Sequence, residues 1–65
     1  MIYVNGEKKE GYDGLSLDAL LQGENFQKER IAVEINGEIV SKKVYGETML
    51  GDGDTVEVVS FVGGG

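Results

Sequence analysis

The residues of this chain best suited to chemistry are its last three, Gly63-Gly64-Gly65, which end in an α-carboxylate. A run of strand-forming residues, Thr55-Val56-Glu57-Val58-Val59-Ser60-Phe61-Val62, leads straight into them with no polar spacer. Glycine loses more conformational freedom on ordering than any other residue, so a triglycine closes a fold poorly and enters a narrow channel well. Fully extended, three residues reach roughly 10 Å, at about 3.3–3.6 Å each, far enough to carry the carboxylate into another protein's active site. A terminal carboxyl group, with an ordinary pKa of about 3.3–3.7, is ionised at neutral pH and can attack the α-phosphate of ATP as an oxygen nucleophile. The product is an acyl-adenylate. With no Cβ at the preceding positions, the activated carbonyl is open to an incoming nucleophile. The competing reading, a disordered remnant or cloning scar, fits less well because the strand pattern runs directly into the glycines.

The remaining composition narrows what else the chain can do. It has neither cysteine nor histidine, so thiol catalysis, disulfides, zinc sites and the usual nucleophile-and-base constellations have no residues to build them. At 65 residues it is one domain with one core, and a self-contained enzyme is not expected. A net charge of −6 and scattered Lys and Arg argue against a nucleic-acid partner. The acidic excess reads as a solubility device, or as complementarity to a basic partner surface. With no run of roughly 20 apolar residues and no charged leader before an apolar stretch, no membrane role is expected and the compartment reads as cytoplasmic. Asp52, Asp54 and Glu47 supply oxygen ligands, but they lack a full calcium-loop pattern. A turn before a strand explains them more simply, so neither metal nor bound cofactor is expected.

The elements that must position the tail follow from periodicity. Ile2 and Val4 alternate with Tyr3, and Asn5-Gly6 favours a tight hairpin returning through a polar edge strand, Glu7 to Tyr12. Ser16 is a helix N-cap, Leu17, Leu20 and Leu21 share one helical face, and Gly23 suits the stop, with Phe26 extending the apolar contact. Ile31, Val33 and Ile35 mark a central strand, and Asn36-Gly37 reverses it into Glu38-Ile39-Val40. Residues 41–50 are irregular, anchored by Val44, Tyr45, Met49 and Leu50, and Gly51-Asp52-Gly53-Asp54 turns into the last strand. The expected fold is α+β. It is a β-grasp (ubiquitin-like) domain over residues 1–65, with a mixed sheet of four to five strands and one main helix packed on one face. Its first and last strands pair parallel at the sheet centre, and residues 62–65 form a flexible tail.

In the last strand, Val56 and Val58 face the helix while Glu57, Val59 and Phe61 face away. Tyr3 has the outward parity on the neighbouring strand. Tyr3, Val59 and Phe61 are therefore the candidate partner-docking surface beside the tail, weighed against the ordinary scatter of exposed apolar residues on small proteins.

Several segments together are specific. They are Val4-Asn5-Gly6, Leu17-Asp18-Ala19-Leu20-Leu21, Ala32-Val33-Glu34-Ile35-Asn36-Gly37-Glu38-Ile39-Val40, Asp52-Gly53-Asp54, and Val56-Glu57-Val58-Val59 leading to the glycines. In these the chain resembles the ThiS/MoaD-like β-grasp sulfur carriers, most closely those of thiamine biosynthesis, along essentially its whole length. Ser41 departs from the proline that such carriers often place after the Ile-Val pair, and Phe61 is bulkier than in some of them. The resemblance implies that an E1-like adenylyltransferase uses MgATP to adenylate Gly65. Sulfur from a cysteine desulfurase or other donor would convert the acid to a thiocarboxylate, and thiazole synthase would receive it. The chain itself would be a co-substrate, monomeric when free, with Gly63 and Gly64 as the stalk. The alternatives are a small subunit of molybdopterin synthase, a ubiquitin-like modifier joined to lysines, and a binding module with an inert tail.

Overall fold

Two Asn-Gly dipeptides set the hairpins of the sheet. The computed structural model describes residues 1–61. Asn5 and Gly6 have φ of 50° and 84°, and Asn36 and Gly37 have 52° and 85°. Positive φ at both central residues matches the right-handed twist of the flanking strands, and asparagine and glycine tolerate it best. The first turn joins β1 (Ile2–Val4) to β2 (Glu7–Lys9), and the second joins β3 (Ile31–Ile35) to β4 (Glu38–Val40). With β5 (Thr55–Ser60), these strands form one sheet in the order β2-β1-β5-β3-β4. The β1–β5 pair is parallel and the other pairs are antiparallel. This is the expected mixed β-grasp sheet, with β5 at its centre.

One helix, α1 (Leu17–Gly23), covers one face. Ser16 caps it, its hydroxyl accepting from the Ala19 N–H at 3.1 Å. Leu17, Leu20 and Leu21 pack with Ile2, Val4, Ile31, Val33, Val56 and Val58 in a single core. Seven residues make too short a helix to hold by propensity alone, so its stability comes from those three leucines.

The helix stop differs from the expectation placed on Gly23. Gly23 is still helical, and the left-handed residue is Asn25, φ 63°. The Phe26 N–H donates to Leu21 C=O at 2.8 Å and the Asn25 N–H to Gln22 C=O at 3.1 Å. These two bonds form a Schellman stop with Asn25 as its left-handed residue, and Phe26 packs on the core as such stops favour. Gly23 is small for another reason: a Cβ there would run into the phenol of Tyr12. Tyr12 donates to Glu24 Oε2 at 2.7 Å, and Lys9 Nζ lies 3.2 Å from Glu24 Oε1. The bond from Tyr12 and then that from Lys9 hold the Glu24 carboxyl below its ordinary range. The same contact explains why β2 stops at Lys9, short of Tyr12. Gly11, φ 95°, swings the chain out of the sheet so that Tyr12 reaches the helix end.

Residues 41–50 also depart from expectation. Lys42–Val44 form a 3-10 turn capped by Ser41, and another such turn, Lys28–Arg30, precedes β3. Tyr45 and Leu50 are buried anchors, with burial pushing the Tyr45 phenol pKa up, but Val44 and Met49 are exposed. Met49 bridges Ser16 in extended backbone, so its neighbour Leu50 takes the inward position.

The loop Gly51–Asp54 fastens the chain's beginning. The Met1 ammonium donates to Asp13 at 2.6 Å and to Asp52 at 2.7 Å, while Met1 C=O accepts from the Gly53 N–H at 2.8 Å. The hydrogen bonds to Asp13 and then Asp52 raise the amine's pKa above its ordinary 8.0, and the bond from the amine lowers that of Asp52 below 3.8.

Two measurements check this account. The amine's contribution to stability is fully present below pH 8.0 and is lost as pH rises through its raised value. That of Asp52 is present above pH 3.8 and is lost as pH falls through its lowered value. The gap in thermal midpoint between the free and Nα-acetylated chains is therefore widest near neutrality and closes on the alkaline side. Separately, Gly23→Ala destabilises the fold, although a helical Gly→Ala change ordinarily gains about 0.5–1 kcal/mol. In a Tyr12→Ala background the same change is stabilising, which a double-mutant cycle by urea melting reads directly.

Candidate functional site

Strand β5 carries the chain toward Val62 and the glycines, so its anchorage decides how firmly anything attached to it is aimed. Along one side it pairs with β3 over its described length, from Ile35 opposite Val56 to Ile31 opposite Ser60. The Phe61 N–H then donates to Arg30 C=O at 2.7 Å. Along the other side β1 reaches only as far as Tyr3 opposite Thr55 and Val4 opposite Val56.

Both hairpin asparagines grip β5. Asn5 donates its backbone N–H to Val56 C=O at 2.8 Å, and its side-chain Oδ1 accepts from the Val58 N–H at 2.8 Å. Asn36 donates its N–H to Thr55 C=O at 2.9 Å, and its Oδ1 accepts from the Thr55 N–H at 3.0 Å and hydroxyl at 3.2 Å. Its amide nitrogen donates to Asp54 Oδ1 at 3.0 Å. The sequence signal for these residues was the Asn-Gly turn. Their side-chain grip on a strand far along the chain has no local signature.

The outer face of β5, away from α1, carries Thr55, Glu57 and Val59, with Phe61 following. Val59 and Phe61 are 59% and 57% exposed, which makes them available for contact. Tyr3 has the same outward parity but is half-buried and stands opposite Thr55, four residues from Val59. At about 3.3 Å per residue that is roughly 13 Å along the strand, with Glu57 between them. The structure thus brings Val59 and Phe61 together and sets Tyr3 apart on the same face. Glu57 lies directly opposite Glu34, which in turn lies opposite the highly exposed Ile39. The site reading from sequence omitted Glu34, Glu57 and Ile39, because cross-strand register is invisible until the pairing is known.

Gly63, Gly64 and Gly65, with Val62 and the expected flexible tail, lie outside the described residues. Asp52 and Asp54 act in the turn: Asp52 binds the chain's amine, and Asp54 accepts from Asn36 and from the Gly51 N–H at 2.9 Å. Among the described residues no group of three or more His, Cys, Asp or Glu is placed to hold a metal ion. An open cleft of about 300 Å³ lies on the helix side, between Asp18, Leu21, Phe26 and Lys28. No helix among the described residues is long and apolar enough to cross a membrane.

A five-stranded mixed sheet under one short helix, with a firmly held last strand leading into glycines, defines the class: a ubiquitin-like β-grasp domain. The model of the ThiS family matches residues 2–65. The chain is 38% identical over 66 residues to the sulfur carrier protein ThiS of Bacillus subtilis, covering all of both chains. It superimposes on the crystal structure of the thiamine biosynthesis protein ThiS of Geobacter metallireducens with a TM-score of 0.80 and 36% identity, covering 98% and 97% of the two chains. It is also 44% identical over 64 residues to a thiazole synthase of Magnetococcus marinus, matching 98% of this chain but spanning only 20% of that protein. The chain belongs to the ThiS family.

Like charges directly opposite on a sheet oppose folding. Glu57→Gln is accordingly expected to stabilise the isolated domain, by about 0.2–1 kcal/mol in a urea titration.

Proposed function

We propose that the chain carries sulfur for thiazole formation in thiamine biosynthesis, with the Gly65 carboxylate as the reacting group. The observation that carries this reading is the ThiS family match, which runs through the glycines to residue 65. In the proposed cycle an E1-like adenylyltransferase binds MgATP, and a Gly65 carboxylate oxygen attacks the α-phosphorus. Pyrophosphate leaves and an acyl-adenylate forms. A hydrosulfide, or the outer sulfur of a cysteine desulfurase's persulfide, then attacks the carbonyl carbon and AMP leaves. Hydrosulfide gives the thiocarboxylate directly, and the acyl disulfide formed from a persulfide is cleaved by a thiol reductant, which leaves the thiocarboxylate and a disulfide. Thiazole synthase receives the sulfur. That a protein named thiazole synthase contains, within one longer polypeptide, a stretch 44% identical to this chain supports the pairing of carrier and synthase.

In this cycle the chain is a co-substrate. It supplies an acyl group on a glycine stalk, Gly63 and Gly64, that passes where side chains cannot. Residues 1–65 act as one carrier domain. Val59 and Phe61, with Tyr3 farther along the same face, form the surface offered to each partner in turn. The nucleotide and its magnesium belong to the adenylating partner.

Intact-protein mass spectrometry tests the cycle. After incubation with the adenylating enzyme, MgATP and a sulfur source, the expected change is replacement of one terminal oxygen by sulfur. Adding one residue beyond Gly65 abolishes the change, because the acyl group then lies past the catalytic centre. Equal modification of the extended variant would overturn the reading.

A further inference from the structure

Hydrogen bonds along β5 alternate sides, and the alternation shows where the sheet is unfinished. Thr55 and Phe61 bond toward β3, through Asn36 and Arg30. Val56 and Val58 bond toward β1, to Asn5. Ser60 has the parity of Val56 and Val58, so its N–H and C=O also point to the β1 side, as does the Val58 C=O. On that side β1 ends at Val4, and the chain turns at Asn5-Gly6 into β2, which pairs on the far edge of β1. Among the described residues nothing bonds to the Val58 C=O or the Ser60 N–H from that side. Among the described residues the centre of the sheet thus has an open main-chain edge, which ends at Ser60, three residues before Gly63.

We infer that this edge, at Val58–Ser60, takes an extended backbone segment of the activating enzyme as an added strand, with a Lys or Arg side chain of that segment beside Glu57. The inference rests on the function proposed above and specifies how the partner reads the carrier.

The chemical complement of an unpaired strand edge is another strand, whose main chain supplies affinity while alternate side chains supply selectivity. Proteins usually guard such edges with charge, and β2 does so with Glu7, Lys8 and Lys9. The open stretch of β5 has no such guard: it reads Val58-Val59-Ser60-Phe61. Asn5 occupies the Val58 N–H, so an incoming strand begins at the Val58 C=O, which fixes its register. On the outer face the newcomer meets Val59 and Phe61, which are apolar and exposed, and Glu57, which already faces Glu34. A cation there relieves two carboxylates at once. The same carboxylates, and a net charge of −6 on every copy, disfavour a second copy of this chain as occupant.

Amide hydrogen exchange, read by NMR with and without the adenylating enzyme, tests this. In the complex the Ser60 amide should slow by roughly tenfold or more, whereas that of Val58, already bonded to Asn5, changes less. Ser60→Pro removes the outward donor and keeps the bonds to β3. It should weaken binding about tenfold, as loss of one interfacial hydrogen bond plus steric exclusion implies, while Ser60→Ala binds as the parent. If Ser60→Pro fails to fold, the exchange arm decides alone. A complex that forms and thiocarboxylates Gly65 while Ser60 exchanges freely overturns the edge and leaves the function standing. No complex and no thiocarboxylate overturns both. Protection of Ser60 without enzyme, rising with chain concentration, assigns the edge to a second copy and overturns the inference.

Discussion

Everything here depends on the seating of β5 between β1 and β3. That pairing joins the two ends of the chain in the middle of the sheet, the parallel contact with β1 bringing Val4 beside Val56. The core then closes around it: Val56 and Val58 point at Leu17, Leu20 and Leu21, and each strand beside β5 contributes its own inward residues. A parallel pair cannot be made by a hairpin, so the helix and the second hairpin serve as the crossover that returns the chain alongside β1. Contacts of such long sequence separation carry a loop-closure cost that must be met before they form. Once β5 is seated, Asn5 and Asn36 add side-chain bonds to it from opposite sides.

How much of this was legible follows from range. The Asn-Gly turns, the Ser16 cap, the leucine face and the strand alternation are local patterns, and each reappears in the structure where the residues put it. Most of the misassigned features involve residues far apart in sequence. Gly23 reads locally as a helix stop but is small to clear Tyr12, eleven residues earlier. Asn25 ends the helix because its backbone tolerates positive φ. Val44 and Met49 are as apolar as Tyr45 and Leu50, and only the 3-10 turn and the bridge to Ser16 decide which pair faces inward. For the outer face, parity alone put Tyr3, Val59 and Glu57 on the same side of the sheet. Register was needed to show that Glu57 separates the other two and faces Glu34.

The two faces of the sheet obey different rules. Toward α1, the alternation of β1, β3 and β5 buries apolar side chains almost completely, and the three leucines complete the layer. Away from it, Ile39, Val59 and Phe61 remain exposed and two carboxylates oppose each other across a ladder. None of these outer features helps the isolated chain: apolar side chains gain nothing in water, and facing carboxylates repel. The helix side explains the stability of the domain. The outer side adds little to it, and the carrier role proposed above gives that side a use as a surface for another molecule to cover.

That division also suits the proposed role, in which several enzymes would hold the carrier in turn. A stalk without side chains contributes little affinity, because the entropy lost in threading it offsets the few contacts it makes. Recognition therefore has to come from the body, close enough to the stalk that docking also aims the carboxylate. The outer face of β5 would meet that need, since Phe61 and Val59 lie four and six residues from Gly65 in the chain. Its strand is held through β3 and Asn5, so a partner that grips the face inherits the direction of the exit. Successive use adds one more requirement: each complex must also release. A small apolar patch beside charge gives association that is fast and selective rather than permanent, with carboxylates steering encounter and the modest buried area limiting residence.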